Sequence, residues 1–289
     1  MKAESRIRHP IVSGIFYPED PYELKTLIRE LARQTTTEES TSNEPQDGEL
    51  RVLLLPHASY QHIGSYLARA FACIRRPEQI TRAVLISSVH RDNEDAVLLP
   101  EFTAYDCPLG AAEVDNAAVR RLAETGYPFK IDNTPHTEEH AQEILLPMLH
   151  EYCPDAKIVP MLLGSYSQKM LDAAVMKIKS TGYADEPNTL WLLSSNLSSF
   201  TDSINSQKEA ERFLEQLAHP SGHLLASRSS RACGRNGLYL LSQLFSEGIS
   251  FIKLRIGRSG IIQPAQREVW YGSFAGYTPA DEQTQGEEL

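Results

Sequence analysis

Val52-Leu53-Leu54-Leu55-Pro56-His57 is a short apolar run that ends on a proline and a histidine. Consecutive apolar residues without polar alternation read as a strand buried on both faces. The pattern then changes, with Leu67, Ala70, Phe71 and Ile74 recurring at helical spacing. A second run, Ala83-Val84-Leu85-Ile86, repeats the strand signal and leads into Ser87-Ser88-Val89-His90. Further apolar runs fall at 158–163, 190–193 and 251–256, and helical patterns at 115–125, 138–152, 168–179, 206–217 and 238–245. Strand runs separated by helices predict an α/β fold. Its central, largely parallel or mixed sheet should be covered by helices on both faces.

Upstream, Asp20-Pro21-Tyr22-Glu23 opens a helix. Asp20 can cap it, Pro21 suits the first helical position, and Glu23 sits where a capping box places its carboxylate. Leu24, Leu27, Ile28 and Leu31 then make one apolar face. Residues 34–49 carry almost nothing to bury and predict a mobile polar loop, while 280–289 reads as an acidic tail that frays. With no composition break and no internal repeat, one domain is expected across 1–289.

Acidic residues outnumber basic ones 38 to 28, a formal charge of −10. Without a dense basic run this argues against nucleic acid as a partner, since phosphate neutralisation supplies most of that affinity. The charged start, Met1-Lys2-Ala3-Glu4-Ser5-Arg6, leads into no apolar core of a signal peptide, and no run is long enough to span a membrane. The four cysteines are far apart and form no CxxC pair, which suits free thiols in a reducing compartment. The expected location is the cytoplasm, with no membrane attachment.

Two histidines stand just beyond strand runs, His57 and His90. In open α/β sheets, ligands collect outside the carboxyl ends of strands, so the two could meet as half of a metal site; from spacing alone an isolated loop residue is the commoner case for each. His62 competes with His57 for the same role. Cys233, in Arg231-Ala232-Cys233-Gly234-Arg235-Asn236-Gly237, precedes a helical run, where a helix N-terminus and arginines favour the thiolate. A small buried hydrophobe at a helix junction is the alternative. A rival constellation is Glu138-Glu139-His140-Ala141-Gln142-Glu143. On a helix, its His140 and Glu143 would share a face for metal binding or acid/base work. No glycine-rich phosphate loop and no HExxH occurs, and Ser194-Ser195 lacks the glycine-flanked elbow of a hydrolase nucleophile.

Taken in order, several segments resemble the Memo family, known in bacteria and archaea as AmmeMemoRadiSam system protein B. Ser13-Gly14-Ile15-Phe16-Tyr17-Pro18 is similar to AGxFYP, Pro56-His57-Ala58-Ser59-Tyr60 with Gly64 to PHAGY, and Ile86-Ser87-Ser88-Val89-His90 to LGPSH. Tyr105-Asp106-Cys107-Pro108-Leu109-Gly110 with Val114-Asp115 is similar to YxTPLG…VD, and Glu139-His140-Ala141-Gln142-Glu143 with Leu146-Pro147 to EHSxExxLP. Val159-Pro160 to Gly164 resembles VPxxVG, Ser194-Ser195-Asn196 resembles SSD, and Cys233-Gly234-Arg235 matches CGR.

The resemblance implies a fold related to the class III extradiol dioxygenases, which use non-haem iron. It also implies a mononuclear metal site of His57, His90 and Cys233. Two imidazoles and a thiolate favour iron or copper, with zinc compatible, and leave positions open for water, dioxygen or a small-molecule substrate. His140 and Arg235 would orient or polarise that substrate. An AMMECR-type protein and a radical SAM enzyme are the implied partners. Against the family pattern, Asn196 replaces an Asp and Ser199 a His in the SSDFxH segment, where acid/base groups are expected. Ser59 replaces the Gly of PHAGY, Ser87 and Val89 alter the GPSH loop, and Arg91 stands where many members have a second His. Three functions therefore stay open: a metal-dependent redox enzyme, a metal-binding protein without turnover, and an interaction module with a degenerate site.

Overall fold

The inner strands form where the apolar runs predict them. The computed structural model describes residues 6–37, 48–89, 94–164, 167–200, 203–219, 232–246, 248–259 and 268–279. In chain order the strands are β1 (Ile7–Arg8), β2 (Gly48–Leu55), β3 (Arg82–Ser88), β4 (Val97–Leu99), β5 (Ala104–Tyr105) and β6 (Ala112–Glu113). They continue with β7 (Phe129–Ile131), β8 (Lys157–Leu163), β9 (Thr189–Ser194), β10 (Ser198–Phe200), β11 (Ser250–Arg258) and β12 (Glu268–Pro279). The helices are α1 (Pro21–Thr37), α2 (Tyr60–Phe71), α3 (Asn116–Glu124), α4 (Asn133–Glu138), α5 (Leu146–Tyr152), α6 (Gln168–Thr181), α7 (Ser203–Ala218) and α8 (Arg235–Leu244).

The larger sheet runs β10-β12-β2-β9-β3-β8-β4-β7, with β11 along the other side of β12. Its middle, β2-β9-β3-β8, is parallel throughout. β12 is antiparallel to β2, and β4 is antiparallel to β8, so the parallel centre is flanked by reversed strands. Both faces of that centre are covered, as the continuous apolar runs require. Consecutive residues of β9 show it: the Leu193 side chain lies under Gly237 of α8, while the Ser194 hydroxyl meets the Ala141 carbonyl on the opposite face. Leu53, Leu54, Leu55, Leu85, Ile86, Leu192 and Leu193 are fully buried there, each worth about 1.5–3 kcal/mol of transfer free energy. A small second sheet, β1-β5-β6, holds the N-terminal segment.

Two expected boundaries move. α1 starts at Pro21 with the Asp20 carboxylate accepting the Glu23 N–H at 2.8 Å, as read, but continues to Thr37. β2 begins at Gly48. A helix already nucleated by its apolar face extends through polar residues at one hydrogen bond each. The polar stretch expected over 34–49 thus shrinks to 38–47, which lies outside the described residues, as does the tail 280–289.

The helix expected over 138–152 is not continuous. α4 ends at Glu138, Glu139 is extended (φ −93°, ψ 122°), a single 3-10 turn covers Glu143–Leu145, and α5 starts afresh with Pro147 in its first turn. Tertiary hydrogen bonds hold this segment instead. Arg8 donates to the Glu139 carbonyl at 2.9 Å, and the Gln142 amide donates to the carbonyls of Leu85 and Met161, both at 2.9 Å.

Candidate metal centre

Because β2, β9 and β3 lie side by side and parallel, their carboxyl ends open together. His57 follows β2 and is 6% exposed. Ser194-Ser195-Asn196 ends β9 beside it, with Leu55 opposite Ser194 in the register. Cys233 reaches the same place from the residues before α8. Its Sγ stands 3.7 Å from His57 Nε2, across 176 positions of sequence.

The sulfur lies against the end of β9, with the Asn196 carbonyl oxygen 3.7 Å away. The Asn196 backbone N–H donates to Sγ at 3.2 Å, a bond that favours the thiolate, and Ser195 Oγ lies 3.6 Å away. The Ser88 hydroxyl, at the end of β3, donates to the Cys233 carbonyl. Gly234 caps α8 and donates its N–H to Ser195 Oγ at 2.9 Å. A side chain there would put its Cβ 2.3 Å from Ser195 Cβ, so only glycine allows this approach.

His57 is held at ring and backbone alike. Its Nδ1 is 2.9 Å from Ser194 Oγ, and that hydroxyl is 2.9 Å from the Ala141 carbonyl. Asn196 grips the main chain: Oδ1 accepts the His57 N–H at 3.2 Å, and Nδ2 donates to the His57 carbonyl at 3.2 Å.

The donor pair fits a shared ion. Bonds of about 2.0 Å to imidazole nitrogen and about 2.3 Å to thiolate sulfur, near the tetrahedral angle, put the two atoms about 3.5 Å apart. Among the described residues, no three His, Cys, Asp or Glu side chains form a metal-holding group. His57 and Cys233 are two donors; His90, with Arg91 beside it, lies outside the described residues.

The rival constellation divides. His140 does reach the site: its ring meets His57 edge-on at 5.9 Å and Phe16 at 5.5 Å, and its side chain is 33% exposed. Glu139, buried, places Oε1 3.5 Å from His140 Nδ1. Glu143 does not join them. Its fully buried carboxylate pairs with Arg8 and accepts the backbone N–H groups of Ile11 and Val12 and the Tyr17 hydroxyl. Burial and that carboxylate push the Tyr17 phenol far up, so it stays a donor. Without a continuous helix, His140 and Glu143 no longer share a face. Arg235 is the half-buried first residue of α8. Ser199 is exposed on β10, opposite Val269, and His62 is exposed on α2. None of the four cysteines is in a disulfide.

Sequence reasoning missed Ser194, whose one signal was a polar residue closing an apolar strand run. It also missed Arg8 and His136. His136 accepts from the Tyr105 hydroxyl at Nδ1 (2.8 Å) and donates from Nε2 to the Leu98 carbonyl (3.1 Å). Burial lowers its pKa to about 4, so it is neutral.

The Memo-like family matches residues 8–241, from the buried Arg8 to within α8. The chain belongs to that family. Among individual relatives, a MEMO1 family protein of Nitrosopumilus maritimus is 26% identical over 79% of this chain and 83% of its own length. A MEMO1 family protein of Thermotoga neapolitana is 25% identical over 86% and 91%. One of Saccharomyces cerevisiae is 27% identical over 50% and 47%. This Memo-like chain departs from the family at Ser59 without strain, since φ −66° and ψ 147° suit any residue. Its Asn196 makes a two-point contact that an aspartate could not, having no N–H to give the His57 carbonyl. No helix among the described residues is long and apolar enough to cross a membrane.

Proposed function

We propose that this Memo-like chain binds one transition metal, iron or copper, through His57, His90 and Cys233. The observation that carries the reading is the 3.7 Å approach of His57 Nε2 to Cys233 Sγ, at the carboxyl ends of parallel strands. A borderline-soft ion suits imidazole and thiolate ligands, whereas magnesium and calcium do not. When bound, such an ion supplies Lewis acidity or a redox couple, with open positions for a small ligand. In this reading His140, edge-on to His57 and partly exposed, and Arg235, the first residue of α8, would orient that ligand.

Two residues argue against turnover. Asn196 has both amide atoms engaged with the His57 main chain, and Ser199 is exposed on β10, so neither supplies an acid or base. Those two residues favour metal binding without turnover; an AMMECR-type protein and a radical SAM enzyme, in the cytoplasm, are the partners proposed from the family resemblance alone. An oxidoreductase acting on a small organic molecule would rely on His140 instead.

Metal content by plasma mass spectrometry tests the site. Parent protein, purified anaerobically without chelator or polyhistidine tag, is expected to hold near-stoichiometric iron or copper. His57→Ala/Cys233→Ser should lose it. A parent that carries no metal and refuses added iron, copper and zinc overturns the proposal.

A further inference from the structure

The strongest unassigned feature of the site is a buried hydroxyl whose proton has only one place to go. Ser194 Oγ is 2.9 Å from the Ala141 carbonyl oxygen and 2.9 Å from His57 Nδ1. A carbonyl can only accept, so the hydroxyl must donate its single proton to Ala141. Were that proton turned to His57, two oxygens would face each other at 2.9 Å with none between them. Ser194 and Ala141 have no exposed surface, so water cannot take over either bond. What remains on Ser194 Oγ is lone pairs, and these can only accept. His57 Nδ1 must therefore carry the ring proton, leaving the Nε2 lone pair directed toward Cys233 Sγ.

We infer that Ser194 is a positioning residue that selects the His57 tautomer, fixing Nε2 as the metal-binding nitrogen. The inference rests on His57 being a metal donor for its consequence, though not for the tautomer itself. Donating the second ring N–H to a fixed acceptor also raises the basicity of the ligating nitrogen and prevents the ring from turning over. Asn196 complements it by gripping the backbone of the same residue, so ring and main chain are set independently from the end of β9.

Long-range proton–nitrogen NMR on metal-free, nitrogen-15-labelled protein at pH 8 reads the tautomer directly, with His57→Ala assigning the signals. The parent should show Nδ1–H. Ser194→Ala should shift His57 toward Nε2–H or a mixture and weaken zinc binding by about 10- to 100-fold. Ser194→Thr, which keeps the hydroxyl, should restore both. An Nε2–H tautomer in the parent overturns the inference, and so does Nδ1–H with unchanged zinc affinity in Ser194→Ala. A parent that shows Nδ1–H but binds no zinc supports the tautomer assignment and removes the metal reading instead. The parent spectrum decides the first point even if Ser194→Ala does not fold.

Discussion

Acidification should destabilise this protein through one buried histidine, His136. His136 is sealed between the Tyr105 hydroxyl and the Leu98 carbonyl, and burial lowers its pKa to about 4. The unfolded imidazole protonates near pH 6.5, so the unfolded chain binds a proton that the folded chain refuses. The stabilisation is complete above about pH 6.5 and is lost progressively as the pH falls toward 4. Its full size is about 3 kcal/mol, of which about 2 kcal/mol is gone between pH 7 and pH 5. With a urea dependence of roughly 3 kcal/mol per molar for a chain of this length, that is a fall of roughly 0.6 M in the unfolding midpoint. Carboxylates titrate in the same range, so the parent is compared with His136→Gln, which keeps a donor and an acceptor but takes up no proton. Circular dichroism against urea at half-unit pH steps gives both curves. The parent should be the steeper by the amounts above. Parallel curves between pH 7 and pH 5 would refute the claim that His136 is held neutral.

Glu143→Gln leaves the Arg8 guanidinium buried without its counter-charge and should cost about 3–5 kcal/mol in urea unfolding. Arg8→Met/Glu143→Leu should recover part of that loss, because a buried pair costs less to replace than to break. If the single variant is as stable as the parent, the N-terminal segment is not anchored by this pair. Asn196→Asp restores the family's acid but puts a carboxylate oxygen against the His57 carbonyl. It should cost about 1–3 kcal/mol and weaken zinc binding without creating activity. A gain in stability or in zinc affinity would show that the amide clamp is not what positions His57.

The parallel centre of the sheet was legible because each inner strand is buried on both faces and so leaves an uninterrupted apolar run, as in 190–193. β12 was not. Gly272 and Gly276 interrupt its pattern, although it pairs with β10, β11 and β2. Short strands such as β4 and β7 carry too few residues to show a period. At the site, His57 and Cys233 could be named from their positions after a strand and before a helix. Their partners could not. Nothing in Arg6-Ile7-Arg8-His9 marks Arg8 for burial, and nothing in 138–152 reveals that tertiary hydrogen bonds outcompete the helix. Such residues are defined by what they meet, and those meetings are long-range.

The distance in sequence between His57 and Cys233 also sets a clock. At about 5–20 residues per second, 176 positions separate their synthesis by roughly 9 to 35 s. Throughout that interval the ribosome carries a chain with β2 complete but the Cys233 sulfur not yet made. Strand β12, which pairs with β2 as well as with β10 and β11, comes later still. An ion held between imidazole and thiolate can therefore be collected only after most of the chain has been made, so its supply acts late in synthesis or on the mature protein.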